Sequence, residues 1–565
     1  MITQKNTLFF LFLGLFFCSC NVFQKSNSNL YHNNCAIVTG HPEATKIGAE
    51  ILKKGGNAID ASLATQLALA VCFPRAGNLG GGGFMIYRDY QGTTYSLDFR
   101  EKAPILSTKD MYLNEQNEII DSLSTYGHMA IAVPGTVDGI FEAHEKFGSL
   151  TIEEIFNPAI ELAETGFCIT ENQAKLFNYY KEDFIKYNPK NNYLIKSNNW
   201  QKGDNLIQTD LAKTLKIIRD EGKESFYNGV LTDKIINELN ELSILSKDDF
   251  KKYKSVWREP IICEIEKYKI ISMPPPSSGG IALCQLLEMA SHFNFKNVKH
   301  NKFKYVHILS EIEKLVYADR AKYLGDSDFV EVPISKLLNK DYNYSRLKYI
   351  NPDSASISEN INYGNLIPES EETTHFSIID NQGNAVSVTT TLNTNFGSKV
   401  FVNDLGFLLN NEMDDFSSKP GYPNTYGLIG SEANSIASEK RMLSSMSPTI
   451  VEKNNEVYLI LGSPGGSTII TSVFQTIMNN LIFNMDIQSA VDAPRFHHQW
   501  LPDKIFIEKN GFDKNTIDSL NMIGHEVKKR SNIGHVNAII ISDKIETGAD
   551  KRGDNLGLEF YVPTP

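Results

Sequence analysis

Residues 373–391 read Thr-Thr-His-Phe-Ser-Ile-Ile-Asp-Asn-Gln-Gly-Asn-Ala-Val-Ser-Val-Thr-Thr-Thr. Two runs rich in β-branched and aromatic residues flank the polar stretch 380–384, a pattern that is typical of a β-hairpin. Centring the hairpin on Gln382 places Thr373 opposite Thr391. Directly opposed residues have Cβ atoms about 4.5–5.5 Å apart. The sequence therefore predicts that two threonine hydroxyls meet at the open end of this hairpin.

The segment before the hairpin, 351–372, is polar, acidic and short of apolar residues. This composition favours a mobile linker, in which the chain is accessible to cleavage. A hydroxyl is a poor nucleophile unless a base takes its proton. If the chain is cut before Thr373, that residue's own α-amine, with a pKa of about 7.7–8.0, can serve as the base. The alternative is that Thr373 only begins a strand.

A second hairpin is predicted from the runs 449–453 and 457–461. Its second strand ends in Gly-Ser-Pro-Gly-Gly-Ser at 462–467, and a helical pattern begins at Thr468. A glycine-rich turn from strand to helix exposes backbone N–H groups at the positive end of the helix. The turn is therefore a candidate site for an anion or an oxyanion.

The glycine runs do not fit the spacing of three common motifs. A P-loop needs a Gly-Lys-Ser/Thr sequence, and neither Gly80–Gly83 nor Gly462–Ser467 contains the lysine. Neither run lies in a convincing dinucleotide-binding unit. A nucleophile elbow needs glycine two residues before its serine, but Leu461 stands there before Ser463.

Composition narrows the class of protein. The 565 residues are 41% hydrophobic and carry 55 basic against 67 acidic side chains, a net charge of −12. The apolar share excludes wholesale disorder, and the charge argues against a nucleic-acid-binding protein. The one close histidine pair, His497-His498, points to opposite faces of a strand, so we interpret it as structural or surface and predict no metal site.

Seven cysteines are too few for a disulfide scaffold in a chain of this length. We expect those beyond the first 20 residues to be isolated buried thiols: Cys35, Cys72, Cys168, Cys263 and Cys284.

The N-terminus has the pattern of an export signal. Lys5 precedes the apolar run 8–17, which is much shorter than the roughly 20 residues that span a bilayer. Ser19-Cys20 then resembles the end of a bacterial lipoprotein signal, in which Cys20 is lipidated. We therefore predict a signal peptide at 1–19 and a polar tether at 20–34. Cleavage by an ordinary signal peptidase is the alternative.

Short motifs follow one another along nearly the whole chain: Ile51–Asp60, Gly80–Met85, Leu97–Pro104, Pro134-Gly135, Pro275–Gly280, Tyr317–Arg320, Thr373–His375, Thr391–Asn393, Asn410–Phe416, Leu443–Pro448 and Gly462–Ser467. In content and order they strongly resemble the γ-glutamyltransferase (glutathione hydrolase) family of N-terminal nucleophile (Ntn) hydrolases. The resemblance implies an α+β fold, a four-layer αββα sandwich formed jointly by two subunits of one cleaved precursor.

The resemblance also implies the reaction. The precursor would cleave itself between Glu372 and Thr373, giving a large subunit (35–372, after the tether) and a small subunit (373–565) that form a heterodimer. Thr373 would then attack γ-glutamyl amides such as glutathione. The γ-glutamyl enzyme would pass its acyl group to water or to an amino acid or dipeptide, without a metal or cofactor.

By match to the family motifs, Thr391 would orient the nucleophile, and Gly465 and Gly466 would form the oxyanion hole. The substrate's γ-glutamyl end carries both charges. The implied partners of its carboxylate are Arg100, Ser444 and Ser445, and those of its ammonium group are Asn393, Glu412 and Asp415. Residues 420–430 resemble the family's lid loop, with Tyr426 as the gating aromatic residue.

These features lead us to expect an exported, lipid-anchored γ-glutamyl hydrolase and transferase in the periplasm or cell envelope of a bacterium. Two alternatives stay open. One is an acylase of the same fold that acts on glutaryl-cephalosporins or poly-γ-glutamate. The other is a non-catalytic lipoprotein that binds γ-glutamyl compounds.

Overall fold

The computed structural model describes residues 33–190, 192–361, 373–422, 424, 428 and 430–563. The predicted signal peptide, Cys20, Glu372 and Tyr426 lie outside these residues. Within the described part of the chain, no helix combines the length and the apolar character needed to cross a membrane.

The described strands are β1 (Asn34–Thr39), β2 (Gly82–Arg88), β3 (Thr94–Phe99), β4 (Phe167–Cys168), β5 (Asn205–Leu206), β6 (Val256–Arg258), β7 (Ile261–Ile265), β8 (Tyr268–Ser272), β9 (Thr374–Ile379), β10 (Ala385–Thr391), β11 (Phe401–Val402), β12 (Phe407–Leu408), β13 (Thr449–Lys453), β14 (Glu456–Gly462), β15 (Phe496–His497), β16 (Ile505–Glu508), β17 (Val527–Arg530), β18 (Asn537–Ile541), β19 (Ile545–Ala549) and β20 (Leu556–Tyr561).

The described α-helices are α1 (Pro42–Lys53), α2 (Ala58–Cys72), α3 (Thr136–Phe147), α4 (Ile152–Thr165), α5 (Glu171–Tyr179), α6 (Lys181–Tyr187), α7 (Thr209–Glu221), α8 (Glu224–Tyr227), α9 (Val230–Leu239), α10 (Lys247–Lys252), α11 (Gly279–Ser291), α12 (Phe303–Tyr323), α13 (Ile334–Leu337), α14 (Lys340–Arg346), α15 (Thr468–Leu481), α16 (Ile487–Asp492) and α17 (Lys514–Met522).

Two antiparallel sheets form the centre of the molecule. One has seven strands in the order β20-β1-β9-β10-β2-β3-β6, and the other has six in the order β19-β18-β14-β13-β8-β7. Strands from both sides of position 373 alternate within the larger sheet, where β9 and β10 lie between β1 and β2. The two predicted subunits therefore share each sheet.

The sheets face each other and are covered by helices on their outer sides. Strand β10 packs against β14, α1 packs against β1, and α11 packs against β7. Because both faces of the larger sheet are covered, successive residues of β1 are buried in different cores. Ile37 belongs to the core under the outer helices, whereas Ala36 and Val38 belong to the core shared with the second sheet. This arrangement confirms the predicted α+β, four-layer αββα sandwich.

The hairpin formed by β9 and β10 has the predicted register. Ile379 pairs with Ala385, and the ladder continues without a shift to Thr374 and Thr390. The buried carboxylate of Asp380 holds the turn, because it accepts hydrogen bonds from Asn384 N (3.0 Å) and, across the layer boundary, from Ala58 N at the start of α2 (2.9 Å). The hairpin is thus fixed both to itself and to the outer helix layer.

Two boundary predictions need correction. Strand β1 begins at Asn34, inside the predicted tether. Residues 351–361 are not a loose linker, since Lys314 Nζ donates to Ser356 O (2.6 Å) and Trp500 Nε1 donates to Ser358 O (2.9 Å). Buried side-chain donors thus bind two backbone carbonyls of this polar segment. The second half of the predicted linker, 362–372, lies outside the described residues.

The prediction of isolated buried thiols was only partly right. Cys35 and Cys72 are buried and free, but Cys168 is exposed. Cys263 on β7 and Cys284 on α11 form a disulfide, with Cα atoms 6.1 Å apart. Their 21-residue separation carries no recognisable motif, because the pair is brought together only by the packing of α11 on β7.

Candidate active site

A narrow cavity of about 30 Å³ lies at the open end of the β9–β10 hairpin. It collects most of the predicted site residues, although they are spread over more than 360 positions of sequence. Those that line it are Arg100, Thr373, Thr391, Asn393, Asp415, Ser444, Ser445 and Gly466. We call it the narrow cavity.

Thr373 and Thr391 hold the positions that the hairpin register dictates. Because Thr374 pairs with Thr390, one further step of the ladder puts Thr373 opposite Thr391. Both residues are buried, and Thr391 Oγ1 accepts a hydrogen bond from Asn393 N at 2.8 Å. A Cβ at Gly81 would lie 2.1 Å from Thr391 O, so the glycine run beside β10 is required by close backbone contact.

The turn between β14 and α15 presents backbone amides. Gly465 and Gly466 have φ of 133° and 52°, and a Cβ at Gly465 would lie 2.5 Å from Thr468 Oγ1. The carbonyl of Gly465 accepts from Thr468 N at 2.9 Å, within the first turn of α15. Since C=O and N–H point in opposite directions across a trans peptide, the N–H of Gly466 points away from the helix. Such an amide is suited to an oxyanion.

A buried charge cluster forms one wall of the narrow cavity. Arg100 Nη1 donates to Glu412 Oε2 at 2.6 Å, and Nη2 donates to Asp415 Oδ2. Glu101 Oε2 lies 3.4 Å from the same guanidinium. Asp415 lines the cavity, whereas Glu412 lies behind Arg100 and is not among the lining residues.

This cluster combines three buried carboxyl groups with one guanidinium group. Burial raises the pKa of Glu101, Glu412 and Asp415, and their mutual repulsion adds to the effect, although Arg100 opposes it. A single guanidinium group does not offset three buried negative charges. The cluster therefore retains protons at a pH where exposed carboxylates are fully ionised.

Ser444 and Ser445, which we call the serine pair, are held in place by Arg320, a residue for which the sequence analysis predicted no role. Ser444 N donates to Pro276 O at 2.9 Å. Arg320, on α12, donates from Nη2 to Ser445 Oγ (3.0 Å) and from Nε to Ser278 Oγ (2.9 Å), and it also lines the narrow cavity. The signal was present in the sequence, because Arg320 ends the motif Tyr317–Arg320.

Asn434 was also missed by sequence reasoning. Its Nδ2 donates to Asp415 O at 2.7 Å, and its Oδ1 accepts from Leu443 N at 2.9 Å. It thus joins the acidic wall to the serine pair, and it lines the narrow cavity. No sequence motif marks this asparagine.

Comparison with known proteins gives the family directly. The family model described as Gamma-glutamyltranspeptidase matches residues 44–559. The chain belongs to the gamma-glutamyltranspeptidase family. The resemblance inferred from the ordered motifs is therefore confirmed.

Relatives of this gamma-glutamyltranspeptidase family member cover between 57% and 93% of its length. The glutathione hydrolase proenzyme of Escherichia coli (strain K12) is 43% identical over 502 residues, which are 88% of this chain and 86% of that protein. The cephalosporin acylase from Bacillus halodurans has a TM-score of 0.80 at 25% identity, covering 93% of this chain and 96% of its own. The Helicobacter pylori gamma-glutamyltranspeptidase has a TM-score of 0.56 at 41% identity, covering 57% and 93%.

The structure does not describe every predicted residue of this family member. Glu372, Tyr426 and Cys20 are outside the described part of the chain. His497 and His498 are fully buried, and His497 Nδ1 lies 2.8 Å from Thr471 Oγ1. Burial lowers the pKa of His497 to about 3, so the ring stays neutral. This environment agrees with the structural interpretation of the pair.

One group among the described residues brings possible metal ligands together, namely His307, Glu311 and His525. None of them lines the narrow cavity. His307 Nδ1 and His525 Nε2 lie 2.8 Å apart, and Lys314 Nζ lies 2.9 Å from Glu311 Oε1. These contacts belong to a polar cluster that also binds the docked segment 351–361, because His307 Nε2 lies 2.8 Å from Asn351 O.

Proposed function

We propose that this protein is a self-processing γ-glutamyltransferase and glutathione hydrolase. One observation carries the proposal: a single cavity joins Thr373 and the Gly466 turn to the Arg100–Asp415 pair. The first two supply the parts of an acyl-transfer site, and the pair supplies both charges that a γ-glutamyl group requires.

Processing uses the same hydroxyl as catalysis. Thr373 Oγ attacks the carbonyl carbon of Glu372, the peptide C–N bond breaks, and an ester forms while the nitrogen gains a proton. Water hydrolyses this ester to the carboxylate of Glu372 and the free hydroxyl of Thr373. The large and small subunits then stay together as a heterodimer through their shared sheets.

In each catalytic cycle, the α-amine of Thr373 takes the proton of its own Oγ as this oxygen attacks the γ-carbonyl of the donor. The developing oxyanion is stabilised by the N–H groups of Gly465 and Gly466. Each such donor is worth about 2.7–4 kcal/mol of the barrier. The leaving amine takes the proton, and the γ-glutamyl ester is then resolved by water or by an amino acid or dipeptide.

Recognition of the donor rests on charge balance in the buried cluster. The α-carboxylate binds at Arg100 and the serine pair, and the α-ammonium binds at Asp415 and Asn393, with Glu412 supporting Arg100 from behind. A γ-glutamyl group brings one charge of each sign, so the net charge of the wall does not change. A glutaryl group would add a negative charge beside three carboxyls, and this favours γ-glutamyl donors over the acylase alternative.

The test compares wild type with Thr373→Ala on denaturing gels and in donor assays. We expect the 63.4 kDa wild-type chain to split, with a fragment that begins at Thr373, and Thr373→Ala to stay whole. Wild type should release aniline from γ-glutamyl anilides far faster than from glutaryl anilides. An uncut wild type would refute self-processing, and faster glutaryl turnover would favour the acylase. Binding of glutathione with no release of glutamate would favour the non-catalytic lipoprotein.

We further propose export and lipidation at Cys20. The support is the apolar run 8–17 followed by Ser19-Cys20. Radiolabelled palmitate should enter wild type and not Cys20→Ala, and the label should fractionate with the cell envelope. Label-free protein with a new N-terminus after the apolar run would favour ordinary signal-peptide cleavage.

A further inference from the structure

Three buried side chains of metal-binding type, His307, Glu311 and His525, meet in the interior away from the narrow cavity. His307 and Glu311 lie one helical turn apart on α12, so their side chains leave the same face of the helix. His525 lies in the loop between α17 and β17, 218 positions from His307. We call these three residues the histidine–glutamate cluster.

The ligand atoms of this cluster are spaced nearly as in a zinc site. His307 Nδ1 is 2.8 Å from His525 Nε2, and His525 Nε2 is 3.9 Å from Glu311 Oε1. All three ligand atoms lie within 4.8 Å of one another. Tetrahedral Zn²⁺, with bonds of about 2.0–2.2 Å, places its ligand atoms about 3.3–3.6 Å apart, so shifts of about 1 Å or less complete the geometry.

Backbone groups of the docked segment 351–361 orient two of the three ligands. His307 Nε2 lies 2.8 Å from Asn351 O, and a carbonyl only accepts, so Nε2 carries the hydrogen and the neutral ring keeps its lone pair on Nδ1. Ser356 N donates to Glu311 Oε2 at 3.1 Å, which leaves Oε1 for the side of His525. Metal-binding histidines and carboxylates are usually held by outer hydrogen bonds of this kind.

The charges around the cluster favour a divalent cation. Besides the histidines themselves, the charged groups that act on His307 and His525 are Lys314 and three carboxylates, those of Glu311, Asp353 and Asp503. Lys314 Nζ divides its single charge between Glu311 Oε1 (2.9 Å) and Asp503 Oδ1 (3.2 Å). Three negative charges against one positive charge leave two unbalanced among these groups, and a divalent cation offsets both.

We propose that His307, Glu311 and His525 bind a zinc ion that fixes the segment 351–361 against α12. The ligands are His307 Nδ1, His525 Nε2 and Glu311 Oε1, a set of imidazole and carboxylate groups that suits Zn²⁺, and water completes the tetrahedron. Zinc replaces the contact between the two rings, so the neutral ring of His525 carries its hydrogen on Nδ1. The site lies outside the proposed catalytic machinery and does not depend on it.

The experiment measures zinc in the purified full-length protein after chelator treatment, addition of Zn²⁺ and removal of free metal by gel filtration. We expect plasma mass spectrometry to find about one zinc ion per wild-type protein. His525→Gln and Glu311→Gln should weaken zinc binding by more than the about 10–100-fold that loss of an outer hydrogen bond costs. Wild type loaded with Co²⁺ should show the visible absorption bands of a tetrahedral site, a readout that needs no variant.

His300→Gln is the matched control. His300 precedes α12 and its Nε2 lies 2.8 Å from Asn479 Oδ1, so it is a histidine of the same region that does not belong to the cluster. This variant should keep the zinc content and the Co²⁺ bands of wild type. If His525→Gln binds zinc as tightly as wild type, or if His300→Gln loses as much zinc as His525→Gln, the assignment is wrong.

Limited proteolysis tests whether zinc fixes the segment. At a zinc concentration of about 100 times Kd, cleavage of wild type within 351–361 should slow by about 10–100-fold, and that of His525→Gln should not change. A wild type that retains no zinc and gives no tetrahedral Co²⁺ bands overturns the site. Zinc binding without protection of 351–361 overturns its role in docking. Turnover of γ-glutamyl donors is not among these readouts, so either failure leaves the proposed function untouched.

Discussion

At the scale of single residues, Arg100 lies at the centre of the charge pattern that we propose for donor recognition. The guanidinium group is buried and already bound to Glu412 and Asp415. Only Asp415 of these two acids lines the narrow cavity. We therefore predict that Asp415 is the carboxylate that a substrate ammonium group reaches. Glu412 contacts Arg100, and direct contact of Glu412 with the substrate stays a prediction.

Asp415→Asn should weaken donor binding, because the isosteric amide removes the negative partner of the ammonium group. We expect kcat/KM for γ-glutamyl anilides to fall about 10–100-fold, in line with about 1.5–3 kcal/mol for a hydrogen bond to a charged group. Turnover of glutaryl anilides should fall far less. Asp414→Asn is the matched control, since Asp414 Oδ1 binds Ser124 Oγ (2.7 Å) outside the cavity. Equal losses in both variants would contradict the assignment.

The raised pKa values of Glu101, Glu412 and Asp415 predict that donor binding releases protons. These carboxyls hold protons above their usual range, and an arriving ammonium group favours their ionised forms, so affinity should increase with pH over that interval. Calorimetry of norvaline binding near pH 6, in two buffers of different ionisation enthalpy, measures the released protons, since norvaline carries the α-carboxylate and α-ammonium of the donor without a γ-carboxylate. Proton uptake on binding would mean that the sign is wrong, and Asp415→Asn should reduce the release.

At the scale of elements, the hairpin shows what local sequence can predict. Turn chemistry at 380–384 and strand composition were sufficient for the β9–β10 register as far as Thr374 and Thr390. The Thr373–Thr391 pairing follows from this register by one further step and stays a prediction. The disulfide between Cys263 and Cys284 was missed because it depends on α11 packing against β7. The role of Arg320 was missed for a similar reason, since it depends on where α12 meets the serine pair.

Substitution of Asp380 in the turn of the β9–β10 hairpin should strongly lower the stability of the protein. Asp380 is buried and accepts from Ala58 N, Gln382 N and Asn384 N, so Asp380→Ala leaves several buried donors without a partner. We expect unfolding free energy to fall by about 3 kcal/mol or more. Asp89→Ala is the control, because Asp89 makes the same kind of turn contacts with Gln91 N and Thr93 N at an exposed site. Denaturant unfolding of both variants measures the difference, and similar losses would refute the role of burial.

Helix α12 positions the serine pair through Arg320. Arg320→Lys keeps the charge but cannot make both hydrogen bonds, to Ser445 and Ser278. We expect KM for the donor to rise about fivefold with little change in kcat, since the serines bind the ground state and the transition state alike. A fall in kcat at unchanged KM would instead place Arg320 in the chemical step.

At the scale of the whole molecule, the interleaved sheets determine what cleavage can change. In the seven-stranded sheet, β9 and β10 of the predicted small subunit are inserted between β1 and β2 of the large one. In the six-stranded sheet, β13 of the small subunit pairs with β8 of the large one along five residue pairs. Cutting one peptide bond before Thr373 removes none of these ladders.

The cleaved enzyme should therefore behave as one particle whose halves share a core without a covalent link. Size-exclusion chromatography under native conditions should give a single species, and denaturing gels should give two fragments. Reducing and non-reducing denaturing gels should both separate the fragments, because Cys263 and Cys284 lie in the large subunit and no disulfide joins the described parts of the two subunits. A covalent heterodimer on the non-reducing gel would refute this. The small subunit expressed alone, 373–565, should not fold, since β9 and β10 would lose both flanking strands and expose apolar faces on each side.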